Sequence, residues 1–584
     1  MKMSRHTVVL AALIIFAMIS PFVFLACDGS PSSSTETTAG DPGTTAPGDT
    51  TSGVAGSAAE TTEDISSLAD NDIRRFRDKV KAGDWGMALT AALEAGDSVY
   101  IPAGTYRMSS VKIPSGKTVY GDGDGTKIFP LGSILFDISG SAGEEIKLAE
   151  DMPDFSDTVK LTKSSGAKEG DLIYLMSQRN CTILEDCTYD WVLGRSYKSG
   201  VACFFAEFLT VAEVSDGGRT LRASGATVFP FYRADGSHES VPRKPAGTVS
   251  DYPYMRDGAT VRLVRPVHDV TVRDLTVIEC TGSAVVGSWM RDCVIERVTV
   301  RTEEKKVPKA GLCLLRISEA LDCEVRGCSF LVPQKPAASL HQKSENYGDY
   351  NIARITRSYR SGFDGCYSDF STHAFLIGKA HKNGTSYGCY GGNCTAENAI
   401  WGGVYVSGGC YNTEITGNTV KNSGRGLVAA GRKNYIADND ITLSLSPLTD
   451  YYYVRREQGG TAGIALIEGC AVDTVVENNR VSEAATAILI RDGYEETNIF
   501  EYGDITVRNN TVTDCVRGVM IYRHEANVGE KRLRLTVTGN SFSGGASGTR
   551  FAGKTAIVLD PETTGEVIKD NTFSNFTSEI YPAR

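Results

Sequence analysis

The sequence lacks the features that mark a nucleic-acid binder or a structural zinc protein. Its formal net charge is −11, and residues 1–68 supply −5 of that, Lys2 and Arg5 standing against seven acids. The remainder is only mildly acidic and carries no basic excess, which argues against a phosphate-backbone partner. No Cys-x-x-Cys pair and no Cys/His spacing of the zinc-binding kind occurs among the 15 cysteines and 7 histidines. Cys293 and Cys323 instead alternate with apolar residues at fixed offsets, the placement of small core fillers rather than of a disulfide framework. Apolar side chains are also nearly missing from residues 28–66, a run of Ser, Thr, Gly, Ala and Pro with scattered acids. Such a segment buries no core and reads as a disordered tether.

Ahead of the tether, Lys2 and Arg5 precede an apolar run from Val8 to Leu25 that ends in Ala26 and Cys27. A basic start, an apolar stretch and a small residue before a cysteine describe an export signal. The segment resembles a bacterial lipobox, with Phe24 where leucine is usual, and the resemblance implies lipidation of Cys27. Residues 1–27 are therefore expected to be a lipoprotein signal peptide. The rest of the chain would be exported and held at the bacterial cell surface, touching the membrane through the lipid anchor alone.

The last third repeats a short phrase in which an asparagine sits between β-branched or aromatic residues: ITGNTV, IADNDI, VENNRV, VRNNTV, VTGNSF and IKDNTF, with Asn418, Asn439, Asn479, Asn510, Asn540 and Asn571 in the polar slot. Such a period predicts stacked coils, in which equivalent residues form rows about 4.8 Å apart. Further upstream VTVRDLTV, VIERVTV and VRGCSF continue the pattern with Leu275, Val298 and Cys328 in the slot. A second element recurs between the turns, among them VYVSG (404–408), LVAAG (427–431), IALIE (464–468), ILIRD (488–492), VMIYR (519–523) and IVLDP (557–561). Alternation puts the first and third residues of each inward and the second and fourth toward solvent. Unequal spacing between these strands predicts extruded loops at 332–347, 447–460, 491–503 and 523–532, while 350–371 takes no unique register.

Near the start of the folded part, Trp85, Leu89, Ala92 and Leu93 fall on one face of a short helix, followed by SVYIPAGTYRMSS and KTVYGDGDGTKI. These motifs resemble the pectin lyase-like superfamily. The resemblance implies an all-β, single-stranded right-handed parallel β-helix whose first coil is closed by an N-terminal capping helix. It speaks to fold and hardly at all to reaction type. The ladder is lost between residues 131 and 254, where GDLIYLMS and EFLTVAEVS alternate as strands. The expected organisation is thus a cap and first coils over 67–130, an inserted β subdomain over 131–254, and the β-helix proper over 255–584.

Reading the rows at the end of the recurrent strand brings Glu468 and Asp492 onto adjacent coils, roughly 5 Å apart, the separation of two carboxylates in a retaining glycosidase. Carboxylates that close drive their pKa values apart, giving an acid and a nucleophile. Arg491, Arg523 and His524 flank the pair, with Tyr405 and Tyr522 in the neighbouring rows. The loop PLTDYYYVRREQGG adds Tyr451, Tyr452, Tyr453, Arg455 and Arg456, residue types that stack on sugar rings and grip hydroxyls or carboxylates. The bland alternative is an Arg/acid patch on a solvated strand. An alternative catalytic set is Asp364, Asp369 and His373, in a coil (STHAFLIGK, then GGNCTAENA) that resembles those of phage tailspike β-helices. There the competing reading of His373 is a hydrogen-bonded core or turn residue.

Polygalacturonase-like β-helices carry Asn-Thr-Asp, Asp-Asp and Gly-His-Gly motifs, which the ladder here does not. The expected function is a cell-surface enzyme that cleaves a polysaccharide or oligosaccharide, hydrolase ahead of lyase, with a non-catalytic glycan-binding or adhesion protein as the alternative. A hydrolase needs no cofactor; Ca2+ enters only with lyase chemistry. The sequence does not specify an oligomeric state.

Overall fold

The computed structural model describes residues 65–176, 206–231, 233, 258–303, 313–333, 351–378, 385–408, 410–444, 461–467, 471, 473–491, 503–522, 533–560 and 566–582. From Asn71 onward they form one compact unit. It is a right-handed parallel β-helix. Each coil carries three short strands that hydrogen-bond in register to their counterparts one coil on. In the last coils, sheet 1 contains Glu414–Thr416, Tyr435–Ala437, Thr474–Glu477, Gly503–Arg508, Leu533–Thr538 and Val567–Lys569. Sheet 2 contains Thr419–Lys421, Asp440–Thr442, Arg480–Ser482, Thr511–Cys515, Ser541–Gly544 and Thr572–Ser574. Sheet 3 contains Arg425–Ala429, Ala462–Leu466, Thr486–Arg491, Arg517–Tyr522, Gly553–Leu559 and Phe576–Pro582.

The corner between sheets 1 and 2 explains the repeated phrase. The residue before each ladder asparagine has positive φ, and it is Gly417, Asp438, Asn478, Asn509, Gly539 or Asp570, the residue types for which that conformation is least strained. The corner turns the next side chain inward. Asn418, Asn439, Asn479, Asn510 and Asn540 are buried, and each Nδ2 donates to the Oδ1 of the next asparagine at 2.8–2.9 Å. Each Oδ1 from Asn439 to Asn571 also accepts the backbone N–H of the preceding asparagine, that of Asn418 accepts the Cys394 N–H, and each Nδ2 also donates to a main-chain carbonyl. The amides thus satisfy corner groups that would otherwise be buried without partners.

Upstream the same slot holds Cys394, Cys366, Cys328, Val298 and Leu275, all buried. A second inward row, one strand earlier, runs Cys293, Cys323, Ser361, Cys389, Thr413, Asn434 and Thr474. The ten described cysteines are free thiols. Their small side chains fill the interior of the coil, as their spacing predicts.

The N-terminal end is closed by helix α1 (Gly86–Ala95), which buries Ala88, Leu89, Ala92 and Leu93 against the first coil. Trp85 precedes it and packs edge-on to Tyr106 at 5.1 Å. Covering the first coil hides strand edges that would otherwise pair with other chains. The stretch 350–371, which has no unique register in the sequence, forms strands Asn351–Thr356, Gly362–Asp364 and the start of Tyr367–Gly378.

Among the described residues the inserted subdomain is a seven-stranded antiparallel sheet built from Ser141–Ala142, Ile146–Lys147, Thr158–Lys160, Leu172–Met176, Ala206–Ser215, Thr220–Ala223 and Thr260–Arg265. Its limits differ from the expected 131–254. Ile134–Ser139 pairs in parallel with Ser283–Arg291 and belongs to the β-helix, whereas Thr260–Arg265 pairs with Leu172–Met176 and belongs to the subdomain. The subdomain docks through aromatic edges onto a row of stacked tyrosines after sheet 3. Tyr359, Tyr387 and Tyr411 lie 5.4 and 5.9 Å apart. Phe208 meets Tyr359 at 5.7 Å and Phe229 meets Tyr411 at 5.3 Å, both edge-on. Tyr359 Oη and Thr385 Oγ1 donate to the Ala206 carbonyl.

Glu207 is buried beneath this junction, where its carboxylate accepts the backbone N–H groups of Val228 and Phe229 at 2.7–2.9 Å. Burial outweighs those bonds and lifts its pKa from the ordinary 4.5 to about 7.

Two stability predictions result. Asn479→Ala removes a rung from the middle of the ladder and orphans groups on both neighbours, so it lowers unfolding free energy by roughly 3 kcal/mol or more. Asn571→Ala, at the last rung, costs about 1 kcal/mol. Urea unfolding of both variants checks the difference. For Glu207, the folded state holds its proton more tightly than the unfolded chain, so the carboxyl's contribution falls as pH rises from 4.5 to about 7 and is level above that. The loss amounts to roughly 3 kcal/mol, and Glu207→Gln flattens it in urea midpoints measured across that window.

Candidate functional site

The outward face of sheet 3 departs from simple alternation. Val428, Ala465 and Leu489, at the second position of their strands, and Ile467 and Arg491, at the fourth, were expected in solvent but are buried. The strands LVAAG, IALI and AILI are apolar on both faces, the pattern of a parallel sheet covered on both sides. The apolar residues among them form one cluster with Ala430, Ala462, Tyr405, Met520 and Tyr522.

Three outward columns run along this face. One carries His373, Gly402, Arg425, Ala462, Thr486 and Arg517. The next carries Arg316, Arg354, Leu376, Tyr405, Val428, Ala465, Leu489 and Met520. The third ends in Arg491 and Tyr522, which are register partners, followed by Asp560 at the end of the next strand. From Arg316 onward the charged side chains among the described residues of these columns are five arginines and one carboxylate, in a chain whose net charge is −11; toward the N-terminal end the second column continues through Val286 to Asp137.

Two groupings stand out. Arg491 is 2% exposed, and its guanidinium lies 5.5 Å from the centre of the Tyr522 ring, a cation–π distance. Asp560, 7% exposed, follows on the next coil. One end of the face carries the second grouping, where the half-buried His373 meets Tyr405 edge-on at 4.4 Å beside the buried Arg425. Desolvation, reinforced by the Arg425 charge, drives the His373 pKa down to about 3, so its imidazole is neutral at physiological pH. Chemically, the arrangement offers guanidinium forks for hydroxyls or carboxylates, tyrosines as stacking surfaces, a neutral imidazole and, beside Tyr522, the Asp560 carboxyl group.

Of the residues singled out from sequence, Arg491, Tyr405 and Tyr522 lie on this face. Glu468, Asp492, Arg523, His524, Tyr451, Tyr452, Tyr453, Arg455, Arg456 and Cys27 lie outside the described residues. The alternative trio is not gathered into one place. Asp364 is on sheet 1, accepting from Asn393 Nδ2 at 2.8 Å, and Asp369 is on sheet 2, accepting from Asn398 Nδ2 at 2.8 Å. His373 alone reaches sheet 3. Arg425 and Arg517 were missed in the sequence; the register of Arg425–Ala429 with its neighbours reveals them, and no local motif does. Among the described residues no three His, Cys, Asp or Glu side chains converge on a metal.

With this geometry established, known proteins supply a comparison. No family model and no curated protein matches the sequence. Solved structures do match the fold. The tailspike gp61 of Pseudomonas phage phi297 superposes with a TM-score of 0.53 at 14% identity, covering 88% of this chain and 81% of the tailspike. The gp54 tailspike of Acinetobacter baumannii bacteriophage AP22, solved with an A. baumannii capsular saccharide, superposes at 0.52 and 14% identity, covering 88% and 77%. The chain therefore shares the parallel β-helix architecture of phage tailspikes.

The His373 environment makes a testable statement. Its NMR resonances stay those of a neutral ring from pH 8 down to about 4, because protonation waits for a pKa of about 3. The unfolded chain binds that proton near pH 6.5, so the folded state loses stability as pH falls between the two values. Replacing Arg425 with Met raises the His373 pKa and narrows the window.

Proposed function

We propose that this chain is an exported, lipid-anchored surface protein that binds a polysaccharide along the outward face of sheet 3 and cleaves it, by hydrolysis ahead of elimination. The observation that carries the reading is the concentration of arginines and tyrosines there, Arg425, Arg491, Arg517, Tyr405 and Tyr522, on a fold shared with a tailspike that holds a capsular saccharide. In this reading Glu468 and Asp492, which directly follow Ile467 and Arg491 in the chain, supply the acid and the nucleophile, with Arg523, His524 and the Tyr451–Arg456 loop around the substrate. Should the reaction be elimination, Ca2+ neutralises the uronate carboxylate and a basic side chain removes the adjacent proton.

A second reading, non-catalytic glycan binding or adhesion, draws on a specific observation. Among the described residues of the three columns from Arg316 onward, Asp560 is the one carboxylate, and a glycosidase needs two close together. Incubating the chain lacking residues 1–66 with a panel of bacterial and plant polysaccharides separates the readings. New reducing ends alone mean hydrolysis, and reducing ends together with an ultraviolet-absorbing unsaturated product mean elimination. Affinity with neither product selects the binding protein. In the catalytic case Asp492→Asn and Glu468→Gln each lower turnover by about a hundredfold or more while leaving binding within a few fold.

A further inference from the structure

A separate surface on sheet 1 carries the elements of a glycan-binding bed. Tyr390 registers with Gly362 on one side and Glu414 on the other. A Cβ added at Gly362 would lie 2.3 Å from the Tyr390 carbonyl oxygen and 2.6 Å from two carbons of its ring, so both the main chain and the ring of Tyr390 crowd the glycine and no larger residue fits there. From there its hydroxyl reaches past that coil to donate to Glu324 Oε1 at 3.3 Å. Tyr435 stands two coils further on, about 10 Å along the axis, and leans the other way to donate to Glu477, a carboxylate that Arg508 also grips.

Between the two rings, in the same column, stands the exposed Glu414, with Gly392 and Thr416 in the column alongside. Asp364 lies beside Gly392, held by Asn393. Tyr435 is 38% exposed, among the few large exposed side chains of its kind. Hydrogen bonds at the hydroxyl end fix each ring while leaving area open to solvent. That is preorganisation of a stacking surface, and it lowers the entropy lost on binding.

We propose that this surface binds a segment of neutral glycan lying along the β-helix axis. Tyr390 and Tyr435 stack on the C–H faces of pyranose rings, and Glu414 and Asp364 accept hydrogen bonds from sugar hydroxyls. The charge pattern selects a neutral chain. Glu324, Asp364, Glu414 and Glu477 line the bed, while Arg326 and Arg508 are engaged with Glu296 and Glu324 and with Glu477, so a uronate polymer meets net repulsion. The bed is on a different sheet from the proposed cleft and does not depend on it. A second point of attachment would hold a polymer on the protein between encounters with sheet 3.

The test is calorimetric titration of the chain lacking residues 1–66 with cellohexaose, chitohexaose and hexagalacturonate. A neutral hexasaccharide is expected to bind, with affinity reduced about tenfold in Tyr390→Ala and in Tyr435→Ala. Tyr390→Phe, which keeps the ring, binds within a few fold of the parent. Thermal melts of the tyrosine variants matching the parent show that the fold is retained. The inference is overturned if neither neutral hexasaccharide binds, if only the uronate binds, or if the two Tyr→Ala variants bind as the parent does. Cleavage of a polysaccharide substrate, where found, is unchanged by these substitutions when measured on short fragments, so the two surfaces are judged separately.

Discussion

The structure depends on the alignment of one coil with the next, and in the C-terminal half the side-chain amide of a single asparagine per coil enforces it. The backbone hydrogen bonds of the three sheets set the register of the strands, and the asparagine amides add a directional link at each corner between sheets 1 and 2. Apolar packing tolerates sliding along a row of Val, Ile and Leu, whereas an amide that must donate to one neighbour and accept from the other tolerates very little. The outward columns inherit this order. Arg491 meets Tyr522, and Tyr390 lies on Gly362, because the interior holds successive coils in phase.

The remaining structure is arranged around this frame. Helix α1 closes the first coil, and the antiparallel subdomain is clamped to the tyrosine row after sheet 3. Exposed cross-coil ion pairs such as Asp322 with Arg360 and Asp504 with Arg534 decorate the outside and contribute little individually. The buried polar groups are different. Glu207 under the subdomain and Arg425 and Arg491 on sheet 3 sit where removal from water is costly and where their positions are held by packing.

Much of the fold was legible because its signal is periodic. A polar residue confined between β-branched neighbours at every turn has few explanations, and Leu275, Val298 and Cys328 could be placed in the same slot before any coordinates. The segment around 350–371 resisted because Cys366 replaces the asparagine and because Phe370, a bulky residue, takes the positive φ that Asn398 and Asn422 supply in the following coils. The N-terminal limit of the subdomain was obscured in a similar way, since Ile134–Ser139 belongs to the β-helix but carries no slot residue. For the candidate face, the row Ile467, Arg491, Tyr522, Asp560 could be read from strand alignment alone. The burial of that face could not be read by alternation, although the continuous apolar strands held the clue. The meeting of His373 with Tyr405 and Arg425 needed the register across three coils, where the strand Tyr367–Gly378 bends and shifts by one residue against its neighbour.

The change of chemistry along the interior slot, from asparagine through cysteine to valine and leucine, makes the coils unequal as building units. Within the asparagine stretch a whole coil can be deleted or duplicated with the chain of amides unbroken, since Asn418 would simply meet Asn479 were the coil of Asn439 excised. A coil transplanted from that stretch into the valine and leucine region would bring a side-chain amide with no counterpart above or below. Gain and loss of coils are thereby channelled into one half of the molecule, leaving the half beneath the docked subdomain constant in length.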